Sequence, residues 1–248
     1  MPTYPDPVAL YPEVAVEGSL AAALRAVAVR EGLSIPASAT ASGSWHDAVV
    51  PAILPHRKEL RVSASHVERR WFIRGCERDQ GLALIEGDTV YLAQVVRVAQ
   101  AWHDGVPLTE IHQAASFVKL TGRFEVPDRD PAGLVESEWR HLRTEAAEVD
   151  WPEYHALIEA AYAEPRLRRP YPFTSHWSLR FSTSTRPSLS RDVLVCLHPR
   201  RGRDYIVTMG FTGQELGETT TAAQAVSLAA LTLPADLDAV RYGAAGPS

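Results

Sequence analysis

The chain has 248 residues, of which 46% are hydrophobic and 22% charged, and a formal net charge of −5. That balance fits one to two globular domains with a sizeable core and argues against wholesale disorder. The acidic excess points away from a dedicated nucleic-acid binder, and no apolar run reaches the roughly 18 residues that a membrane helix needs.

Residues 1–18 are acidic and Pro-rich, unlike a secretory leader, and read as a mobile segment. Ser19 to Glu31 is the first periodic helix, with Leu20, Leu24, Val27 and Ala28 on one face and Gly32 at its stop. Strand-like runs follow at Trp45 to Val50, Leu60 to Ala64 and Trp71 to Gly75. Asp88 to His103 reads as a second helix, capped by Asp88 and striped by Leu92, Val95, Val96, Ala99 and Trp102. Residues 104–152 form a connector. It holds a short helix over Thr109 to Ala115, an extended Ser116 to Gly122, and a helix from Asp130-Pro131 through Val149. Tyr154 to Glu164 is the next helix. Strands are expected at Trp177 to Ser182, Val193 to Leu197 and Tyr205 to Met209, before a last helix over Thr219 to Leu233. Residues 237–248 are a tail.

The two halves echo one another. Leu24, Ala28 and Glu31 match Leu157, Ala161 and Glu164 at an offset of 133. Gly87, Thr89, Ala93, Gln94, Val96 and Ala99 match Gly217, Thr219, Ala223, Gln224, Val226 and Ala229 at an offset of 130. The expected fold is α+β: two related α-β-β-β-α units over 19–103 and 153–236, with mainly antiparallel sheets and a helical connector.

Charge is segregated along the chain. Residues 125–164 carry a net −8 and residues 166–203 a net +8, the latter from nine arginines against Asp192. Arginine forks suit phosphate or carboxylate, so Arg168 and Arg180 are candidate anion-binding residues. The two cysteines, Cys76 and Cys196, lack metal or redox spacing, and no pair among the nine histidines has the i, i+4 spacing of a helical metal site. The expectation is a reduced, cytoplasmic protein with no metal and no other cofactor. The densest chemistry is Tyr171-Pro172-Phe173-Thr174-Ser175-His176-Trp177, running into Ser178-Leu179-Arg180-Phe181-Ser182. His176 beside hydroxyls can serve as a general acid or base, and Ser175 and Trp177 can contact a ligand. Strand alternation sets Ser175 and His176 on opposite faces, and Cys196 is expected two strands away.

The stretch PFTSHWSLRFS with AAYAEPRLR before it, and the earlier GLALIEGDTVYLAQVVRVAQAWHDGVPLTEIH, resemble an uncharacterised actinobacterial family labelled "natural product biosynthesis protein". The resemblance covers most of residues 19–236 and implies a setting in specialised-metabolite clusters, without a reaction. Members of that family often carry Cys-Thr-Gly where this chain has Ser184-Thr185-Arg186-Pro187, so a site lined by that turn would differ here. Two functions are expected. The first is an accessory or binding protein that holds a pathway protein, a carrier, a peptide or a small-molecule intermediate between the units. The second is a cofactor-independent cyclase, isomerase or hydrolase that uses His176 with Arg168 or Arg180. The oligomeric state is left open.

Overall fold

The computed structural model describes residues 5–42, 44–190, 194–210 and 213–244. The chain folds as two compact units, Met1–Thr121 and Gly122–Ser248. Both mix helices with antiparallel sheet, so the fold class is α+β. Among the described residues no helix is long and apolar enough to cross a membrane.

The first unit opens with α1 (Pro7–Leu10), α2 (Pro12–Glu17) and α3 (Leu20–Arg30). Ser19 caps α3 by accepting a hydrogen bond from the Ala22 amide, and its apolar stripe is buried as the periodicity requires. A six-stranded meander follows: β1 (Ser38–Ala39), β2 (Asp47–Val50), β3 (Leu60–Ala64), β4 (Trp71–Cys76), β5 (Ala83–Thr89) and β6 (Val118–Leu120). Between β5 and β6 lie α4 (Leu92–His103) and α5 (Leu108–Ala114). Alternation along β3 and β4 buries Leu60, Val62, Trp71 and Ile73 and leaves Arg61, Phe72 and Arg74 exposed. Helix α3 packs on β1 and β2, while α4 packs on β3, β4 and β5. Gly75 makes room for the Trp102 ring of α4: a Cβ there would lie 2.6 Å from two ring carbons.

The second unit opens with α6 (Pro131–Glu148), α7 (Pro152–Ala163) and α8 (Pro165–Arg168). Its strands are β7 (Tyr171–Ser175), β8 (Ser178–Ser182), β9 (Ser184–Pro187), β10 (Val195–Pro199), β11 (Tyr205–Met209) and β12 (Glu215–Thr219). Helix α9 (Ala222–Thr232) and β13 (Arg241–Gly243) complete it. The sheet order is β12-β11-β10-β8-β7, because β9 leaves the sheet and pairs with β13 in a parallel ribbon. Helices α7 and α9 pack on one another and on the sheet, around Trp139, Leu157, Leu179, Phe181 and Val207.

Several elements differ from their sequence reading. Each sheet has more than the three expected strands. In the first, β5 was hidden because Ala83–Thr89 runs almost directly into α4. Asp88 therefore does not cap α4; it lies on β5 and pairs with Arg70 at 2.6 Å, and Tyr91 stands at the cap. Residues 104–152 divide between the units: α5 and β6 complete the first, and α6 packs on α7 and β7 in the second. Residues 7–10 and 12–17 are helical, and Tyr11 between them is buried, its hydroxyl 2.8 Å from the carbonyls of both Ser65 and Glu68. In the tail, β13 is paired rather than loose. Val193, the expected start of the strand now seen as β10, lies outside the described residues, as do 1–4 and 245–248.

Candidate functional site

The residues singled out from the sequence fall into three places in the second unit. The first is the tip of the β7–β8 hairpin. Ser175 and Ser178 pair across it, so His176 and Trp177 form a two-residue turn. Their φ values are 51° and 64°, both left-handed, as a turn of this kind requires. Such turns favour Asn-Gly; a His and a Trp are held there against steric preference. Trp177 is therefore not the first residue of a strand, and its neighbour His176 is exposed. Contrary to the alternation argument, Ser175 Oγ lies 3.2 Å from His176 Nδ1, because the backbone turns between them. The Trp177 ring rests on Tyr154 at 5.3 Å and on Trp151 at 6.0 Å, and Arg201 lies over Trp151 at 5.0 Å.

The second place is the face of the sheet that carries Arg180. Cross-strand register aligns Phe173, Arg180, Cys196 and Thr208 in one row over β7, β8, β10 and β11. Cys196 thus sits on the strand next to Arg180 rather than two away, since β9 departs from the sheet. In the adjoining row, Ser178 Oγ is 2.7 Å from His198 Nδ1, and His198 Nε2 is 3.1 Å from Thr208 Oγ1. The Thr208 hydroxyl and the Cys196 thiol both donate to the Gly210 carbonyl. Burial pushes the Cys196 thiol up, which makes it a poor thiolate source despite the opposing Arg180 charge. Burial also pushes the His198 imidazolium down, and Arg180 adds to that shift, so the ring is neutral at pH 7. Arg180 itself is only 6% exposed.

The third place is a solvent-open cavity of about 590 Å³ with Arg168 in its wall. Pro131, Ala132 and Val135 contribute from α6, and Ala239 and Val240 from the chain before β13. Two cations, Arg168 and Arg169, and two carboxylates, Asp130 and Glu136, stand in the same lining. Each is fixed by a neighbour. Arg168 stacks on Tyr162 at 4.9 Å, Tyr162 donates to Glu136 at 3.2 Å, and Arg169 donates to the Leu237 carbonyl at 2.9 Å. Asp130 caps α6 through the Gly133 amide at 2.8 Å.

Arg168 therefore does not join His176. Trp177 packs on Tyr154, whereas Arg168 stacks on Tyr162, two turns or about 12 Å further along α7. Arg180 acts on His198 from the neighbouring strand, and His198 and Thr208 were not foreseen. Only strand register brings them to Ser178, and register is not written in a single strand's pattern. Among the described residues no group of three His, Cys, Asp or Glu side chains is placed to hold a metal ion.

Residues 133–244 match the family model of DUF6193, a family of unknown function. That span includes the hairpin, the polar sheet face and most of the cavity lining; the earlier GLALIEGDTVYLAQVVRVAQAWHDGVPLTEIH segment lies outside it. No curated protein matches the chain, and no solved structure does.

Proposed function

We propose that this chain is a binding protein of a specialised-metabolite pathway and holds a zwitterionic, peptide-like intermediate in the Arg168 cavity. The observation that carries this reading is the lining itself. Apolar walls from Val135, Ala132, Ala239 and Val240 share one cavity with two arginines and two carboxylates. Pockets for small ligands are mostly apolar, with a few placed polar groups that fix orientation. Arg168 and Arg169 suit a carboxylate, and Glu136 and Asp130 suit an ammonium group. The volume of about 590 Å³ lies within the usual range for small-molecule sites. The pathway setting rests on the family resemblance of the hairpin sequence.

In each unit five antiparallel strands pair in chain order between two helices (β1 to β5 between α3 and α4; β7, β8 and β10 to β12 between α7 and α9), which supports descent from one duplicated unit, although β6 and the β9–β13 ribbon have no counterparts. An enzymatic reading through His176 draws on the 3.2 Å Ser175–His176 contact, but the exposed tip excludes little water from that pair.

Deleting the coding sequence in the host should alter the specialised-metabolite profile, with a peptide-like intermediate accumulating or vanishing. Complementation with the natural sequence should restore the profile and Arg168→Gln should not. Equal restoration by both would defeat the reading.

A further inference from the structure

The polar row on the second unit's sheet has a direction. The Gly210 carbonyl can only accept, so the Thr208 hydroxyl at 3.4 Å donates to it. With Thr208 donating to Gly210, its Oγ1 can accept from His198 Nε2, 3.1 Å away, in the Nε2-protonated tautomer. That tautomer has its lone pair on Nδ1, 2.7 Å from Ser178 Oγ. In that tautomer Ser178 donates to His198. A hydroxyl, a neutral imidazole and an orienting group that fixes the ring are the parts of an activated nucleophile. Here the orienting group is a threonine anchored to backbone, in place of a carboxylate. Arg180 lies two residues along the same face of β8 from Ser178. Its charge disfavours imidazolium in the resting site, but would favour the oxyanion formed when Ser178 attacks a carbonyl.

We propose that Ser178 is a nucleophile activated by His198, with Thr208 as the positioning residue, and that the site takes activated acyl groups such as esters or thioesters. In the step, Ser178 Oγ bonds to the carbonyl carbon and its proton moves to His198 Nδ1. The bond to the leaving alcohol or thiol breaks, and His198 returns the proton to it. Water then releases the acyl group by the same route. This site shares no residue with the Arg168 cavity, so either reading can fail alone.

The test uses the full chain and a fluorophosphonate probe. Attack by Ser178 forms an O–P bond, expels fluoride and leaves the proton on His198. Peptide mapping should place a single adduct on Ser178. The rate should rise with pH through a midpoint below 6.5, the ordinary histidine value, and then level off. His198→Gln should slow labelling about 100-fold, the scale of general-base assistance. Thr208→Val, which preserves shape, should slow it clearly while the melting temperature holds. His176→Ala should label at the natural rate. An unmodified Ser178 in the folded natural chain, an adduct mapping elsewhere, or a rate indifferent to Thr208→Val overturns the proposal.

Discussion

The two residues at the hairpin tip share one backbone state yet should respond to substitution with opposite signs. His176 and Trp177 both hold positive φ, at 51° and 64°, which costs a non-glycine residue about 1 kcal/mol or more apiece. His176 is exposed, and its side chain contacts Ser175. Asn tolerates the left-handed region well, so His176→Asn should relieve most of that cost and stabilise the second unit by about 0.5–1 kcal/mol. Trp177 is different. It is 42% exposed, so a little over half of its surface is buried against Tyr154 and Trp151. Taking about 250 Å² for the ring system, that is about 140 Å², or about 3.5 kcal/mol of burial as an upper figure. Trp177→Gly recovers about 1 kcal/mol of strain and loses this burial, for a net destabilisation of about 2 kcal/mol. Amide hydrogen exchange at Leu179 and Phe181 of β8 reads the second unit alone, without relying on tryptophan fluorescence. A destabilised His176→Asn, or a Trp177→Gly at least as stable as the natural chain, would refute this separation of strain from packing.

Other outcomes follow from the packing. Gly75→Ala puts a methyl 2.6 Å from the Trp102 ring and 2.9 Å from Ile85 Cγ1; it should cost the first unit about 2–3 kcal/mol in urea unfolding. Arg123 and Glu138 form a two-pronged ion pair at 2.7 and 2.9 Å with side chains 10% and 5% exposed. Glu138→Ala should destabilise the second unit by about 3–5 kcal/mol, and Glu138→Gln by less, since an acceptor remains. For His198 the folded pKa lies below the unfolded value of 6.5, so the unfolded chain binds the proton first on acidification. Its contribution is full above 6.5 and is lost as pH falls below that value. Thermal melts between pH 7 and 5.5 should therefore show a decline that His198→Gln flattens, and an equal slope in the two chains would contradict the assignment.

Legibility followed the range of each physical rule. Local rules worked where they were enough. Asp130-Pro131 marked the start of α6, and the structure has the Asp130 cap in place. Alternation located β3 and β11 to the residue. It misled at Trp177, where Trp-Ser-Leu-Arg-Phe-Ser continues the period of two through a turn that lacks the usual Asn-Gly signal. The polar row of Ser178, His198 and Thr208 was illegible, because it depends on β9 leaving the sheet so that β8 and β10 become neighbours. Arg168 was legible as a cation but its cavity was not, since Glu136 and Val240 reach it from distant parts of the chain.

The binding reading is tested most directly by titrating the chain with a free apolar dipeptide while observing the methyl resonances of Val135 and Val240. The dipeptide's N-acetyl and C-terminal amide derivatives serve as controls. Saturable shifts should centre on those two methyls and on Ala239. They should weaken about tenfold or more when either end of the dipeptide is blocked, the scale of one charge-assisted contact, and in Arg168→Gln. Shifts centred elsewhere, or blocked dipeptides that bind as well as the free one, would contradict it.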